Sequence, residues 1–102
     1  MLDTRTAILQ AMMDGESYGL EVIERVRIMS GGKIRILQGR VYPVLRELEA
    51  DGLLRSYDGE LVAERGGRPR RYYELTASGR RVAASEAKAI AGLLRPALKP
   101  TS

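Results

Sequence analysis

The chain has 102 residues, of which 44% are hydrophobic and 29% are charged, a composition typical of one small folded domain rather than of a disordered chain. It contains no cysteine and no histidine, which excludes a disulfide framework, thiol or imidazole catalysis and the common zinc or haem ligand sets. No apolar run approaches the roughly 20 residues of a membrane span, and the first residues lack a signal-peptide pattern. We therefore expect a cytoplasmic protein with no membrane contact, no cofactor, no metal site and no enzymatic activity.

Two amphipathic helices are predicted in the first third of the chain. The first runs from Thr4 to Asp14, ends at Gly15 and carries apolar residues at helical spacing, namely Ala7, Ile8, Ala11 and Met12. Ser17 is a suitable N-cap for the second helix, which extends to about Ser30 and places Leu20, Ile23 and Val26 on one face. The glycine pair at 31–32 ends it.

A third helix is predicted from Gly39 to Ala50, after a short extended segment from Lys33 to Leu37. Its core-facing stripe consists of Val41, Val44, Leu45 and Leu48, and the opposite face presents Gly39, Tyr42, Pro43 and Arg46. Because proline is tolerated only near the start of a helix, we expect an irregular and exposed first turn. Tyr42 then has no core to join, so we expect it to lie on the outward surface.

Two strands and a last helix complete the predicted elements. The strands are Leu53–Asp58 and Arg70–Leu75, and they are separated by a loop rich in glycine and proline. Strand alternation places Tyr73 with Leu75 on one face, so we interpret the adjacent tyrosines 72 and 73 as structural rather than as a stacking platform. Thr76 caps a fourth helix, about Ala77 to Arg95, which Pro96 ends.

The order helix, helix, helix, strand, strand, helix is typical of the winged helix, a mainly α domain with a small antiparallel β wing, in the α+β class. We expect residues 1–75 to form a winged-helix DNA-binding domain. Residues 76–98 would form a C-terminal dimerisation helix that packs on the same domain, and residues 99–102 a disordered tail.

The net charge of +4 is unevenly distributed over these elements. Two stretches carry several cations and no acidic residue: Lys33, Arg35, Arg40 and Arg46 in the first, and Arg65, Arg68, Arg70 and Arg71 in the second. A merely solvated surface tends to mix the two signs of charge. Two separate basic clusters indicate two contacts with one polyanion.

Several segments resemble the PadR family of transcriptional regulators in order and spacing, over about Ile8 to Arg80. They are YGLEVI at 18–23, GRVYPVLRELE at 39–49, DGLL at 51–54 and GRPRRYYELTASGR at 67–80. One departure is the pair Leu37-Gln38, where family members usually have Ser-Pro. The resemblance implies a dimeric repressor that binds a pseudo-palindromic operator in double-stranded DNA. It also implies a possible small-molecule effector, of unidentified structure, although the chain has no Trp or Phe to build an aromatic site.

The predicted DNA-binding residues are those of the two basic clusters together with Gln38, just before the third helix, and Tyr42, within it: Lys33, Arg35, Gln38, Arg40, Tyr42, Arg46, Arg65, Arg68, Arg70 and Arg71. The predicted dimer interface is an apolar stripe on the fourth helix, consisting of Val82, Ala89, Ile90 and Leu93. Each of these predictions has a simpler interpretation. The third-helix residues would be an ordinary solvated helix face, and the arginines from 65 to 71 a solubilising charge run. The fourth helix would pack on the first helix within one chain. The alternative function is a winged-helix adaptor for protein–protein contact that does not bind specific DNA.

Overall fold

The computed structural model describes residues 3–61, 66–67 and 69–98, which form four α-helices and a small antiparallel sheet. The elements, in chain order, are α1 (Thr4–Ala11), a single 3-10 turn (Met12–Asp14), β1 (Ser17–Tyr18), α2 (Gly19–Met29), α3 (Gln38–Ala50), β2 (Leu54–Leu61), β3 (Pro69–Leu75) and α4 (Ala77–Leu98). The predicted winged helix is confirmed. None of these helices is long and apolar enough to cross a membrane.

The first helix is shorter than predicted because its last turn tightens. Asp3 is its N-cap, and the Asp3 carboxylate accepts a 2.8 Å hydrogen bond from the backbone N–H of Thr6. This hydrogen bond lowers the pKa of Asp3. The helical bonds end at Ala11 and a 3-10 turn continues to Asp14, before Gly15 adopts a φ of 113° that favours glycine.

The prediction that Ser17 caps the second helix is wrong, because Ser17 and Tyr18 form a short strand. β1 pairs with β3 and completes a three-stranded sheet in the order β1–β3–β2. The Ser17 hydroxyl is fully buried and donates a 2.7 Å hydrogen bond to the Glu21 carboxylate. The buried face of α2 also differs from the prediction: Val22 and Val26 are buried, whereas Leu20 is exposed.

The third helix runs without interruption through Pro43, so the predicted irregular first turn is wrong. The helix begins at Gln38, one residue before the predicted start, and Leu37 in an extended conformation precedes it. Pro43 lies near this start. Because it has no N–H, the helix lacks the one backbone bond that residue 43 would make to the carbonyl of Gly39, four residues earlier. The predicted core stripe is confirmed, since its four residues are all buried.

The sheet has one face in the core and one face outside. Tyr73 and Leu75 of β3 are buried, as predicted, beside Leu54 of β2. Burial raises the pKa of Tyr73. The outer face carries a row of tyrosines, because Tyr18 of β1 and Tyr57 of β2 both lie opposite Tyr72 of β3.

The fourth helix is fixed at its start by Thr76, as predicted. The Thr76 hydroxyl donates to the carbonyl of Gly52 at 2.6 Å and accepts from the backbone N–H of Gly79 at 3.0 Å. The helix continues to Leu98, so the prediction that Pro96 ends it is wrong. The fixed φ of proline is itself helical, and near the end of a helix its cost is the loss of one backbone bond.

Candidate nucleic-acid interface

The segment before α3 separates its cations from its apolar residues. In the extended stretch from Lys33 to Leu37, Ile36 is buried and Ile34 is half-buried, while Lys33, Arg35 and Leu37 are exposed. This is the alternation of an extended chain. The first turn of α3 then adds the exposed side chains of Gln38 and Arg40, so the region presents three cations, one amide and the apolar Leu37 to solvent.

The side chain of Tyr42 is held against the protein, contrary to the prediction that it has no core to join. Tyr42 is half-buried and packs against the core. Its ring lies over Gly19, where a Cβ atom would come within 2.8 Å of Tyr42 Cζ. Glycine at the start of α2 therefore makes room for the tyrosine of α3.

A groove of about 660 Å³ separates α3 from the wing strand β3. Five of the ten predicted DNA-binding residues line this groove: Gln38, Tyr42, Arg46, Arg70 and Arg71. Lys33, Arg35 and Arg40 are exposed but are not among the residues that line it. The predicted sites at Arg65 and Arg68 lie outside the described residues. The structure thus brings residues of both basic clusters together on one groove.

Arg70 is held in place by an aromatic partner. Its guanidinium carbon lies 4.1 Å from the centre of the Tyr18 ring, a cation–π contact. Tyr18 in turn meets Tyr72 edge to face, with ring centres 5.6 Å apart, and Tyr72 stacks on Tyr57 at 5.7 Å. The row of tyrosines therefore connects Arg70 to all three strands of the sheet.

Two of the three arginines that line the groove have no ion pair among the described residues. Arg5, Arg25, Arg27 and Arg55 are held in ion pairs with carboxylates. Among the described residues, Arg46 and Arg70 have no carboxylate within 4.0 Å, and Arg71 has one, Asp58 at 3.6 Å. A surface with unpaired cations favours binding of a polyanion, because binding releases condensed counterions from the polyanion.

Residues 8–85 match the Transcriptional regulator PadR-like family. The chain belongs to the PadR-like family. It is a DNA-binding transcriptional regulator and not an enzyme, in agreement with the predicted function.

Individual relatives agree with this assignment. A transcriptional regulator of Mycobacterium tuberculosis is 35% identical over 94 residues, which are 92% of this chain and 81% of that protein. A transcriptional regulator from Clostridium thermocellum has a similar structure, with a TM-score of 0.73 and 25% identity, over 97% of this chain and 93% of the other. PadR of Bacillus subtilis, solved in complex with operator DNA, has a TM-score of 0.69 over 81% of this chain and 44% of its own. At 20% identity, this last likeness concerns the fold alone.

Six of the eleven residues that line the groove of this PadR-like protein were not predicted as DNA-binding residues, and two of these, Tyr18 and Leu20, were also placed wrongly. Tyr18 and Leu20 line the groove, yet the sequence pattern placed Tyr18 at the start of the second helix and Leu20 in the core. The signal was the pair Tyr18-Gly19, which is part of the PadR resemblance. A two-residue strand has too little sequence to show alternation, and only its pairing with β3 defines it.

The predicted dimer residues of this PadR-like protein lie on α4 in different surroundings. Val82 packs against the core of its own chain. Ile90 is half-buried and lines an apolar groove of about 320 Å³ between α1, α2 and α4. Ala89 is exposed, and Leu93 is 75% exposed.

Alkaline titration of Tyr57 tests the hydrogen bond between Tyr57, on the outer face of the sheet, and Glu16. The Tyr57 hydroxyl donates a hydrogen bond to the Glu16 carboxylate, and this bond raises the pKa of Tyr57 to about 12. The pKa of tyrosine in an unfolded chain is about 10. The contact therefore contributes stability that is complete below pH ~10 and is lost as the pH rises through ~12. We expect Glu16→Gln to lower this pKa, as measured by NMR of labelled tyrosine rings. The signal is assigned by its absence from Tyr57→Phe, and an unchanged pKa in Glu16→Gln would contradict the contact.

Proposed function

We propose that α3 enters the major groove of operator DNA while the wing formed by β2 and β3 contacts the adjacent backbone. We further propose that the protein acts in the cytoplasm as a homodimeric repressor on a pseudo-palindromic site. The observation that carries the proposal is the groove between α3 and β3, where Arg46 and Gln38 of the helix converge with Arg70 and Arg71 of the wing. One rigid surface then offers both contacts to one duplex.

The position of each residue on this surface would determine which part of the DNA it contacts. Arg46 and Gln38, on the groove side of α3, have the side chains that bind guanine and adenine edges respectively. Lys33, Arg35 and Arg40 would hold phosphates on the other side of the helix start, where they position the domain without reading sequence. Arg70 and Arg71 would contact the flanking backbone, with Tyr42 filling the groove wall. Arg71 would then exchange its ion pair with Asp58 for a phosphate.

A second copy of the chain is the proposed cover for the outer side of α4. Leu93 is 75% exposed and Ala89 is exposed beside it, while Ile90 closes one end of the apolar groove against α1 and α2. A two-fold axis would bring the same patch of both copies together. The two α3 helices would then lie in successive major grooves, about 34–36 Å apart. A small apolar effector in the groove beside Ile90 would act on this interface.

We expect Arg46→Ala to weaken binding to a specific duplex far more than to a random one. Loss of one base contact of this kind costs about 1–3 kcal/mol, and a dimer loses two. The specific site is first obtained by selection from a randomised duplex library, and affinities are then measured by fluorescence anisotropy at fixed salt concentration.

Arg55→Ala is the matched control, because Arg55 is ion-paired with Glu74 and is not among the residues that line the groove. It should leave the ratio of specific to random binding unchanged. Equal losses on both duplexes with Arg46→Ala would reassign Arg46 to phosphate contact. No enrichment of any duplex by the wild-type chain would refute the proposed site as a whole.

A further inference from the structure

Leu37 occupies a position that the protein's own packing does not explain. It is 77% exposed, more than the other large hydrophobic residues whose exposure is described. It lies on the solvent side of the extended segment with Lys33 and Arg35, while Ile34 and Ile36 face inward. Isolated exposed leucines are common on protein surfaces, so the position of this leucine, rather than its exposure alone, requires an explanation.

The position is the N-cap of α3, the helix that lines the groove. Serine, threonine, asparagine and aspartate are preferred there, because their side chains accept a hydrogen bond from the first turn. Leu37 has the extended backbone of an N-cap, with φ −70° and ψ 145°, but its side chain makes no capping bond. The chain therefore forgoes a stabilising bond and also exposes an apolar side chain.

The charges around Leu37 restrict what can cover it. From Lys33 to Arg46 the sequence has four cations and no acid, and the first exposed neighbour in the helix is the amide of Gln38. An apolar side chain in this setting is best covered by a ligand that is anionic overall and offers a local apolar group. Within the major groove of DNA, that apolar group is the C5-methyl of thymine.

We propose that Leu37 packs against the C5-methyl group of a thymine in each operator half-site and thereby selects an A·T pair at that position. The inference rests on the proposed placement of α3 in the major groove. Gln38, the next residue, has the side chain that binds adenine bidentately, so the two neighbours together would favour an A·T-rich step at the start of the helix.

The test removes the methyl group without changing base pairing. A specific duplex is selected with the wild-type chain from a randomised library, and each thymine is then replaced in turn by deoxyuridine. We expect one thymine per half-site whose replacement weakens wild-type binding about fourfold, the effect of one buried methylene-sized group. For Leu37→Ala the same replacement should have no effect, and for Leu37→Met, which keeps an apolar side chain, it should retain most of its effect.

Met13→Ala is the control for a general loss of apolar surface, because Met13 is an exposed apolar residue of the 3-10 turn. It should keep the full sensitivity to deoxyuridine. The inference is overturned if wild-type binding is unchanged at every thymine, or if Leu37→Ala remains as sensitive as wild type. Failure of the selection itself would instead refute the proposed function, so the two failures are distinguishable.

A second variant separates binding from stability. Leu37→Ser supplies the missing cap, so its melting temperature should equal or exceed that of wild type. Its sensitivity to deoxyuridine should nevertheless be lost. A variant that is at least as stable as wild type and still discriminates thymine from deoxyuridine would contradict the contact, because neither unfolding nor a damaged helix could explain the result.

Discussion

Replacement of Gly79 by alanine should lower the thermal stability of the protein. Gly79 lies in the first turn of α4, where a Cβ atom would overlap the backbone carbonyl of Leu53 and come within 2.9 Å of its carbon. The carbonyl oxygen and carbon of Leu53 belong to the backbone, so the overlap can be relieved only by displacing α4 or the turn before β2. Because the overlap is with backbone, the cost should lie at the upper end for overpacking, about 3 kcal/mol or more, against the roughly 1 kcal/mol that alanine gains over glycine in a helix. We expect the melting temperature to fall by roughly 10 °C or more.

Gly92→Ala is the matched control, because Gly92 lies in the same helix and a Cβ atom there would have no neighbour within 4 Å. Its only expected effect is the gain in helix propensity, so its melting temperature should stay the same or rise slightly. Thermal unfolding followed by circular dichroism measures both variants. A Gly79→Ala protein as stable as Gly92→Ala would contradict the close contact between α4 and the turn before β2.

Replacement of Leu93 by glutamate should separate the proposed dimer into folded monomers. A carboxylate buried without a partner costs several kcal/mol at an interface, and a two-fold axis introduces it twice. Because Leu93 is 75% exposed in its own chain, the fold of each chain should be preserved. Loss of the second half-site should weaken specific DNA binding by about two orders of magnitude or more. Sedimentation equilibrium measures the association state and circular dichroism the fold.

Met13→Glu is a control on another surface, since Met13 is exposed in the 3-10 turn rather than on α4. It should sediment as wild type does. A Leu93→Glu protein that remains dimeric would place the interface elsewhere. A monomer that binds the selected duplex as tightly as wild type would show that DNA recognition does not require the dimer.

The sequence predicted most accurately those elements whose signal is local and repeated. The stripe from Val41 to Leu48 repeats at helical spacing and is buried as expected, and Thr76 caps α4 through its own hydroxyl. The alternation that placed Tyr73 and Leu75 in the core is likewise a property of a few neighbouring residues. Propensity and periodicity act over such distances, so one sequence is sufficient to reveal them.

The errors arose where a distant segment decides the outcome. Ser17 is an acceptable helix cap by type, but pairing with β3 makes it a strand residue. Tyr42 has no packing partner when α3 is considered alone, but Gly19 of α2 has no side chain and so leaves space for the Tyr42 ring. The groove itself depends on the approach of β3 to α3, which no local pattern encodes. Gln38, Arg46, Arg70 and Arg71 were chosen by charge and helix face, and their convergence was not predictable.

The pair Tyr18-Gly19 has a mechanical consequence for DNA binding. Tyr18 carries Arg70 of the wing on its ring, and the next residue, Gly19, seats Tyr42 of α3. Two consecutive residues of one backbone therefore contact both the wing and the helix, and so constrain the distance between them. A surface that is already rigid loses less conformational entropy when it binds. In the proposed binding mode, such a surface would also fix the spacing along the duplex, so that an operator with an altered spacing between its base contacts and its backbone contacts would have to bend to fit the protein.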